Sequence, residues 1–474
     1  MSYWICHLIL AWVQHFFVFS IYYYFLINTT YLVLLIAALF SLRNQMKTRP
    51  LYQLMRKRSS LHSPPISVIA PAYNEEATIR ESIKSFLMLN YPAFEVIVVN
   101  DGSKDNTLAA LKDAFLLEPS YIPYDGALSN TEVRGVFISK LHPNLIVIDK
   151  VNGGKADALN VGIGFSQYDV FCAVDSDSIL EDDALLRIAV PFIEDPERTV
   201  ASGGTIRIAN GSSVRYGRVH SAKLPVDFLG LVQIVEYTRA FLCGRIGWNA
   251  FNATLVISGA FGLFSKSLVK AVGGYLEGSV GEDMELIVRL HRHLRERKAD
   301  YSIVFIPDPV CWTEAPNSYA MLSRQRNRWQ RGLAQTLFEN KKMLFNPKYG
   351  VLGLFAFPYY FFVELLGPLV ELLALICLII GSLAGVLERE TVILFFAAGF
   401  LYGLIMTLFA LLIEERYFSK YPKPSQFLLL MAISVLEAFG YHQINVFWRI
   451  RGLYDYWRGN TQWGQMKRSG FSSS

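Results

Sequence analysis

Apolar residues in this 474-residue chain are not spread evenly. They concentrate in residues 3–42 and 350–448, while 62–345 reads as ordinary globular sequence. A helix that crosses a bilayer needs about 20 apolar residues, so both ends are long enough to be membrane-embedded. Basic residues cluster beside the apolar runs, as at Arg43, Lys47, Arg49, Arg56, Lys57 and Arg58. That asymmetry predicts a cytoplasmic central domain. The net charge of +5 gives no case for nucleic acid as a partner.

The reading divides the chain into four parts. Residues 1–45 form an N-terminal membrane region, 62–345 a cytoplasmic domain ending in an interfacial helix, 350–448 membrane and interfacial helices, and 449–474 a basic cytoplasmic tail. The first stretch lacks the Lys/Arg start of a secretory signal and is too long for one. Asn28-Thr29-Thr30 interrupts it, giving two spans, or one span from about Phe17 plus an interfacial helix. In the last region Leu352–Val386 carries Glu364, Pro368 and Glu371, and reads as an interfacial piece followed by one span. Thr391–Leu412 is a cleaner span. Phe427–Trp448 carries Glu437, His442, Gln443 and Asn445, so it is interfacial or lines something polar. Cytoplasmic ends on both sides favour two full spans and one interfacial or re-entrant segment.

From Ile66 the pattern alternates strand and helix. Strands are predicted at Ile66–Ala70, Phe94–Val99, Asn144–Ile148 and Val170–Val174, and helices at Thr78–Leu89, from Thr107, and at Lys155–Phe165. Such alternation implies an α/β domain with a parallel sheet covered on both faces. Ligands bind beyond the carboxyl ends of such strands, where Glu75, Asp101 and Asp175 fall. Residues 118–140 break the rhythm and read as an insertion or loop. Residues 206–250, with Gln233, Glu236, Arg239 and Arg245, read as a helix near the membrane surface. The five cysteines lack paired spacing and read as reduced core residues. His291 and His293 are alternate residues on a helix and point apart, which argues against a metal pair.

Four signals carry chemistry. Asp175-Ser176-Asp177 ends an apolar strand, and two carboxylates two apart on a loop can reach one hard divalent cation. The bland alternative is a polar turn capping a helix. Asp101, before Gly102-Ser103, can accept from a uracil or ribose; it also suits a turn and N-cap. Asn152-Gly153-Gly154-Lys155 places glycines and a lysine at a helix start, where anions are favoured, although the Walker spacing is absent. Glu282 and Asp283 open a helix, where acidic residues also complement the dipole. Either can take a proton from an acceptor hydroxyl, and chemistry alone does not choose between them. In Gln325-Arg326-Asn327-Arg328-Trp329, Arg328 suits a diphosphate and Trp329 a sugar face, while an interfacial helix also explains both.

In this order the signals resemble the membrane-integrated family 2 glycosyltransferases, which include the cellulose, hyaluronan, chitin and poly-N-acetylglucosamine synthases. The motifs that carry the resemblance are Asp101, Asp175 with Asp177, Glu282 with Asp283, and Gln325, Arg328 and Trp329, over roughly residues 64–335. The resemblance implies an A-type nucleotide-diphosphosugar transferase fold, Rossmann-like with a mixed sheet. It implies Asp283 as catalytic base, Mg2+ or Mn2+ held by Asp175 and Asp177, and inversion at the anomeric carbon. Pro71, Glu75, Asp101, Lys155, Asp175, Gln325, Arg328 and Trp329 would hold a UDP-sugar, with glucose or N-acetylglucosamine as the sugar. Ser258, Gly259, Glu282 and Trp329 would meet the acceptor. Trp463-Gly464 with Arg468 resembles a gating segment of hyaluronan synthases. The implied activity is synthesis of a β-linked extracellular polysaccharide at the inner or plasma membrane, with Glu364, Glu371, Glu437 and His442 along the polymer path and accessory export subunits as possible partners. Two alternatives stand: a single-transfer enzyme that glycosylates a membrane lipid, and an inactive receptor or export component.

Overall fold

The computed structural model describes residues 2–58, 63–129, 131–418, 421 and 423–460. The Trp463-Gly464 segment lies outside them.

One helix, α1 (Ser2–Arg58), spans 57 residues. The expected interruption at Asn28-Thr29-Thr30 is not there. Thr29 and Thr30 return their hydroxyl hydrogens to the carbonyls of Phe25 and Leu26, one turn back. Asn28 donates across to the Ala398 carbonyl at 2.8 Å. Polar groups satisfied in this way do not end a helix, so the apolar run Trp4–Asn44 is continuous over 41 residues.

The strands are β1 (Ile66–Ala72), β2 (Phe94–Asp101), β3 (Leu117–Ser120), β4 (Val133–Ser139), β5 (Leu145–Lys150) and β6 (Val170–Val174). They continue as β7 (Ser178–Leu180), β8 (Thr199–Ile208), β9 (Ser213–Arg215), β10 (Arg218–Ser221), β11 (Phe261–Ser265) and β12 (Ser302–Thr313). Ten of them form one mixed sheet in the order β3-β4-β5-β2-β1-β6-β11-β8-β12-β7, and β9–β10 is a separate hairpin. The segment 118–140 is therefore not a loop insertion. It supplies most of β3 and all of β4, which extend the edge: β4 pairs antiparallel with β5, and β3 with β4. Its prolines and Gly126 sit at the edge and in the connecting turn, which is why periodicity hid the strands.

The helices are α2 (Ile79–Leu87), α3 (Thr107–Phe115), α4 (Lys155–Phe165), α5 (Ala184–Glu194), α6 (Phe228–Arg239), α7 (Gly247–Asn249), α8 (Lys266–Ala271), α9 (Glu282–Glu296) and α10 (Tyr319–Glu339). Side chains alternate across the central strands. Val68 and Ala70 of β1 join the core formed with α2, α3 and α5, whereas Ile69 joins the core formed with α4 and α9. Strands buried on both faces read as continuous apolar runs, as β1 and β6 do. Each fully buried Val or Ile contributes about 1.5–3 kcal/mol relative to an exposed one.

Toward the C-terminus, Arg389–Tyr417 is long and apolar enough to cross a membrane. Leu352–Leu365 and Gly367–Leu383 meet at a 46° bend, and Pro424–Glu437 and Tyr441–Trp457 at 59°. With α1, that makes two candidate spans, or up to four if each bent pair is one span. The basic helix read as interfacial after Trp329 is packed on one face against the C-terminal helices. Asn327 donates to Asp455 at 2.7 Å, Gln330 donates to the Leu365 carbonyl at 3.0 Å, and Arg449 donates to Gln330 at 2.9 Å. Likewise α6 is buried along Leu229–Val235, at the seam between the sheet domain and the C-terminal helices.

Candidate active site

Parallel register aligns the strand ends. Ile66 pairs with Phe94 of β2 and with Val170 of β6, so β1, β2 and β6 finish on one rim. Asp101 and Asp175 both emerge there, as the alternating pattern predicts.

The rim opens into a cavity of about 1010 Å³. Of the residues singled out in the sequence, Lys155, Asp175, Ser258, Gly259, Glu282, Asp283, Gln325, Arg328 and Trp329 line it. The cavity continues between the C-terminal helices, where Glu364, Glu371, Glu437 and His442 also line it. Pro71, Glu75, Asp101 and Asp177 are not among its lining residues.

Lys155 is the hub. It is the first residue of α4, and its Nζ lies 2.6 Å from Asp175 Oδ1 and 3.2 Å from Glu282 Oε1. Burial alone would lower the ammonium pKa, but the adjacent Asp175, Glu282 and Asp283 outweigh it and raise the value. Glu282 is pushed the other way: burial raises its carboxyl above the ordinary range, against the pull of Lys155. Asp283 is fixed by two backbone donors, Gly259 N–H on Oδ2 at 3.0 Å and Met284 N–H on Oδ1 at 2.8 Å. The choice between the two acids left open by the sequence thus gains a geometric difference. Glu282 is buried beside Lys155, and Asp283 is braced by the chain at the cavity wall.

Asp101 does not reach into the cavity. Its carboxylate accepts from Lys150 Nζ at 2.5 Å, Asn152 Nδ2 at 3.1 Å, Gly153 N–H at 2.9 Å and Gly154 N–H at 2.8 Å. It therefore shapes the turn that delivers Lys155. Lys150 is fully buried and also touches Asp157 at 2.5 Å. Glu75 is engaged locally, receiving the Thr78 hydroxyl at 2.8 Å. Trp329 is 43% exposed, with the Arg326 guanidinium 4.5 Å over its ring.

Sequence reasoning missed the ion pairs that hold the two halves of the cavity together. Arg326 pairs with Glu236 at 2.5 Å, and Arg239 with Glu437 at 2.9 Å. The residues had been noted, but nothing in one sequence announces partners 90 and 198 positions apart. The rejected histidine pair is accounted for: His291 is buried against Tyr301 Oη at 2.6 Å and the Thr254 carbonyl at 3.0 Å, while His293 meets Arg297. Cys172, Cys311 and Cys377 are buried free thiols.

A mixed ten-stranded sheet with an acidic rim at the carboxyl ends of its parallel strands defines the A-type nucleotide-sugar transferase class. Residues 170–412 match the family model described as glycosyl transferase family group 2, and residues 67–124 match that of glycosyl transferase family 2. The chain belongs to the family 2 glycosyltransferases. It is similar to the poly-beta-1,6-N-acetyl-D-glucosamine synthase of Staphylococcus epidermidis, with 30% identity over 275 residues, 58% of this chain and 56% of that relative. The synthase of Staphylococcus aureus (strain COL) is 30% identical over 276 residues. The chain thus spans little more than half the length of these relatives. Among solved structures, the mannosyltransferase PcManGT from Pyrobaculum calidifontis, in complex with GDP-Man and Mn2+, covers 86% of this chain and 99% of its own at a TM-score of 0.50 and 19% identity. That likeness is one of fold.

The donor set at Asp175 and Asp177 suits a hard divalent cation, being two carboxylates and no softer ligand. Among the described residues no three His, Cys, Asp or Glu side chains converge on one point. A cation here would rest on Asp175, which lines the cavity, and on phosphate oxygens of a donor; Asp177, 2% exposed and off the lining, would join it by turning toward that point.

Proposed function

We propose that this protein is an inverting glycosyltransferase that uses a UDP-sugar, carrying glucose or N-acetylglucosamine, to extend a β-linked polysaccharide at the membrane. The observation that carries this reading is the continuity of one cavity from Asp175 and Asp283 to Glu371 and His442 among the apolar helices. A single-transfer enzyme has no need of a carbohydrate-sized path at that depth. The relatives named as polysaccharide synthases support the same reading.

In this mechanism the diphosphate lies against Lys155 and Arg328, and Asp101 holds the Gly153-Gly154 turn that aims Lys155. A bound Mg2+ or Mn2+ at Asp175 and Asp177 would neutralise charge on the departing UDP. Asp283 accepts the acceptor hydroxyl proton as the oxygen bonds to the anomeric carbon, and the bond to UDP breaks with its electron pair leaving on the phosphate. Attack from the face opposite UDP inverts the configuration. The sheet domain lies on the cytoplasmic side, where UDP-sugars are made, and the lengthening product moves between the helices past Glu364 and Glu437.

The test is a UDP-release screen over a donor panel with Mn2+ or Mg2+, followed by mass analysis of the product. A ladder of one sugar type supports the reading. A single sugar on a lipid would replace it with the lipid-glycosylating alternative, and no release from any donor would favour an inactive component.

A further inference from the structure

Four of the basic side chains on the cavity wall have carboxylate partners. Lys155 meets Asp175, Arg326 meets Glu236, Arg239 meets Glu437 and Arg449 meets Glu364, all within 3.4 Å. Arg328 acts on the charge of Glu282. Arg245 also lines the cavity, yet no carboxylate among the described residues lies within ion-pair distance of it, and its Nη1 is buried without a hydrogen-bond partner. Its guanidinium is stacked instead, 4.2 Å over the Phe241 ring and 5.9 Å from that of Phe305. Stacking satisfies the face of the fork and leaves the Nη1 donors unmet.

The backbone beneath it is equally unusual. Arg245 sits in a π-helical turn, Ala240–Ile246, that continues α6. Such turns hold an extra residue at a cost to helix geometry and recur at functional sites. Ala240, Phe241, Gly244 and Arg245 from this one turn all line the cavity. Burial lowers the Arg245 pKa, and the opposing influence of Tyr360, Asp283 and Tyr237 does not outweigh it. Arg245 as a whole is half-buried, but an enclosed N–H left without an acceptor, as at its Nη1, is costly unless a ligand completes it.

The ligand class follows from the rest of the wall. Eight carboxylates line the cavity against six lysine and arginine side chains. With Lys155 and Arg328 committed to the donor diphosphate, that balance leaves little positive charge for a second anion such as a lipid phosphate and suits a neutral, oxygen-rich ligand. Resting on the transferase reading above, we propose that Arg245 is an acceptor-holding residue, donating its N–H edge to a neutral oxygen, carbonyl or hydroxyl, of the acceptor sugar while Asp283 takes the proton of the attacking hydroxyl. Phe241 holds the guanidinium plane so that its edge points to the sugar.

The experiment uses the full chain in detergent and compares wild type, Arg245→Gln and Arg245→Lys. UDP release is measured without acceptor and with a β-linked N-acetylglucosamine pentamer or its glucose counterpart, matched to the active donor. Loss of a hydrogen bond to a charged group predicts an acceptor KM raised by roughly tenfold to hundredfold in Arg245→Gln. Donor KM and acceptor-free hydrolysis should stay at wild-type values. Arg245→Lys keeps the charge and should fall between; it also carries the test if the Gln protein does not fold. An unchanged acceptor KM, or a donor KM that rises in step, would overturn the assignment. Wild-type protein that releases no UDP from any donor would instead overturn the transferase reading beneath it.

Discussion

The backbones of Gly281 and Gly332 meet with no side chain between them. A Cβ on Gly281 would lie 3.0 Å from the Gly332 Cα, and one on Gly332 would lie 2.9 Å from the Gly281 Cα. Gly281 immediately precedes α9, and Gly332 lies inside α10. Their contact brings Asp283 and Arg328 onto one cavity from two elements distant in sequence. Gly332→Ala would push a methyl into backbone that cannot yield, and overpacking of this kind costs about 1–3 kcal/mol. A lower unfolding temperature in detergent and a loss of UDP release are expected. Wild-type values for both would show that the helices separate at no cost.

Asp283→Asn keeps an oxygen for the Gly259 N–H but removes the group that takes the proton. Transfer should fall by about 10²–10⁴-fold, the usual contribution of a positioned base. Donor affinity, read by calorimetry with UDP, should survive. Full turnover in this variant would refute the role.

Chelation tests the aspartate pair. EDTA should abolish UDP release, and added Mn2+ or Mg2+ should restore it. Asp177→Asn should shift the metal concentration for half-maximal rate upward while leaving the unfolding temperature near that of wild type. Metal-independent turnover would exclude the cation.

His291 gives stability a pH dependence. Burial lowers its imidazole pKa from 6.5 to about 4. Between those values the unfolded chain takes up a proton that the native protein refuses, so stability present above pH 6.5 is lost as pH falls toward 4. On the order of 2 kcal/mol should be gone by pH 5. Thermal unfolding at pH 7 and pH 5 should show a smaller difference in His291→Gln, which does not titrate.

How much of this was legible follows from the kind of signal each element carries. Lys155–Phe165 and Val170–Val174 were readable to the residue, because a Gly-Gly turn and a fully apolar run mark their ends. The rim was readable because alternation dictates parallel strands. The role of Asp101 was not. Its partner Lys150 stands opposite it in the β2–β5 register, and register is invisible to a single-strand pattern. The polar triplet in α1 misled because a satisfied threonine looks like a helix breaker in sequence. In sequence Arg245 reads only as a basic residue, since the added residue of a π-turn leaves no compositional mark.

The Leu34 carbonyl of α1 would lie only 2.7 Å from a Cβ on Gly247, the residue that follows the turn carrying Arg245. The same helix supplies Tyr24, Asn28 and Tyr31 to the cavity wall and Leu35, Ala38 and Leu42 to the core beneath the sheet. α1 therefore works as a ruler. If α1 crosses a bilayer, as its 41-residue apolar run allows, this one rod would fix how deep the cavity sits relative to the lipid, and bilayer thickness would become a variable in its chemistry.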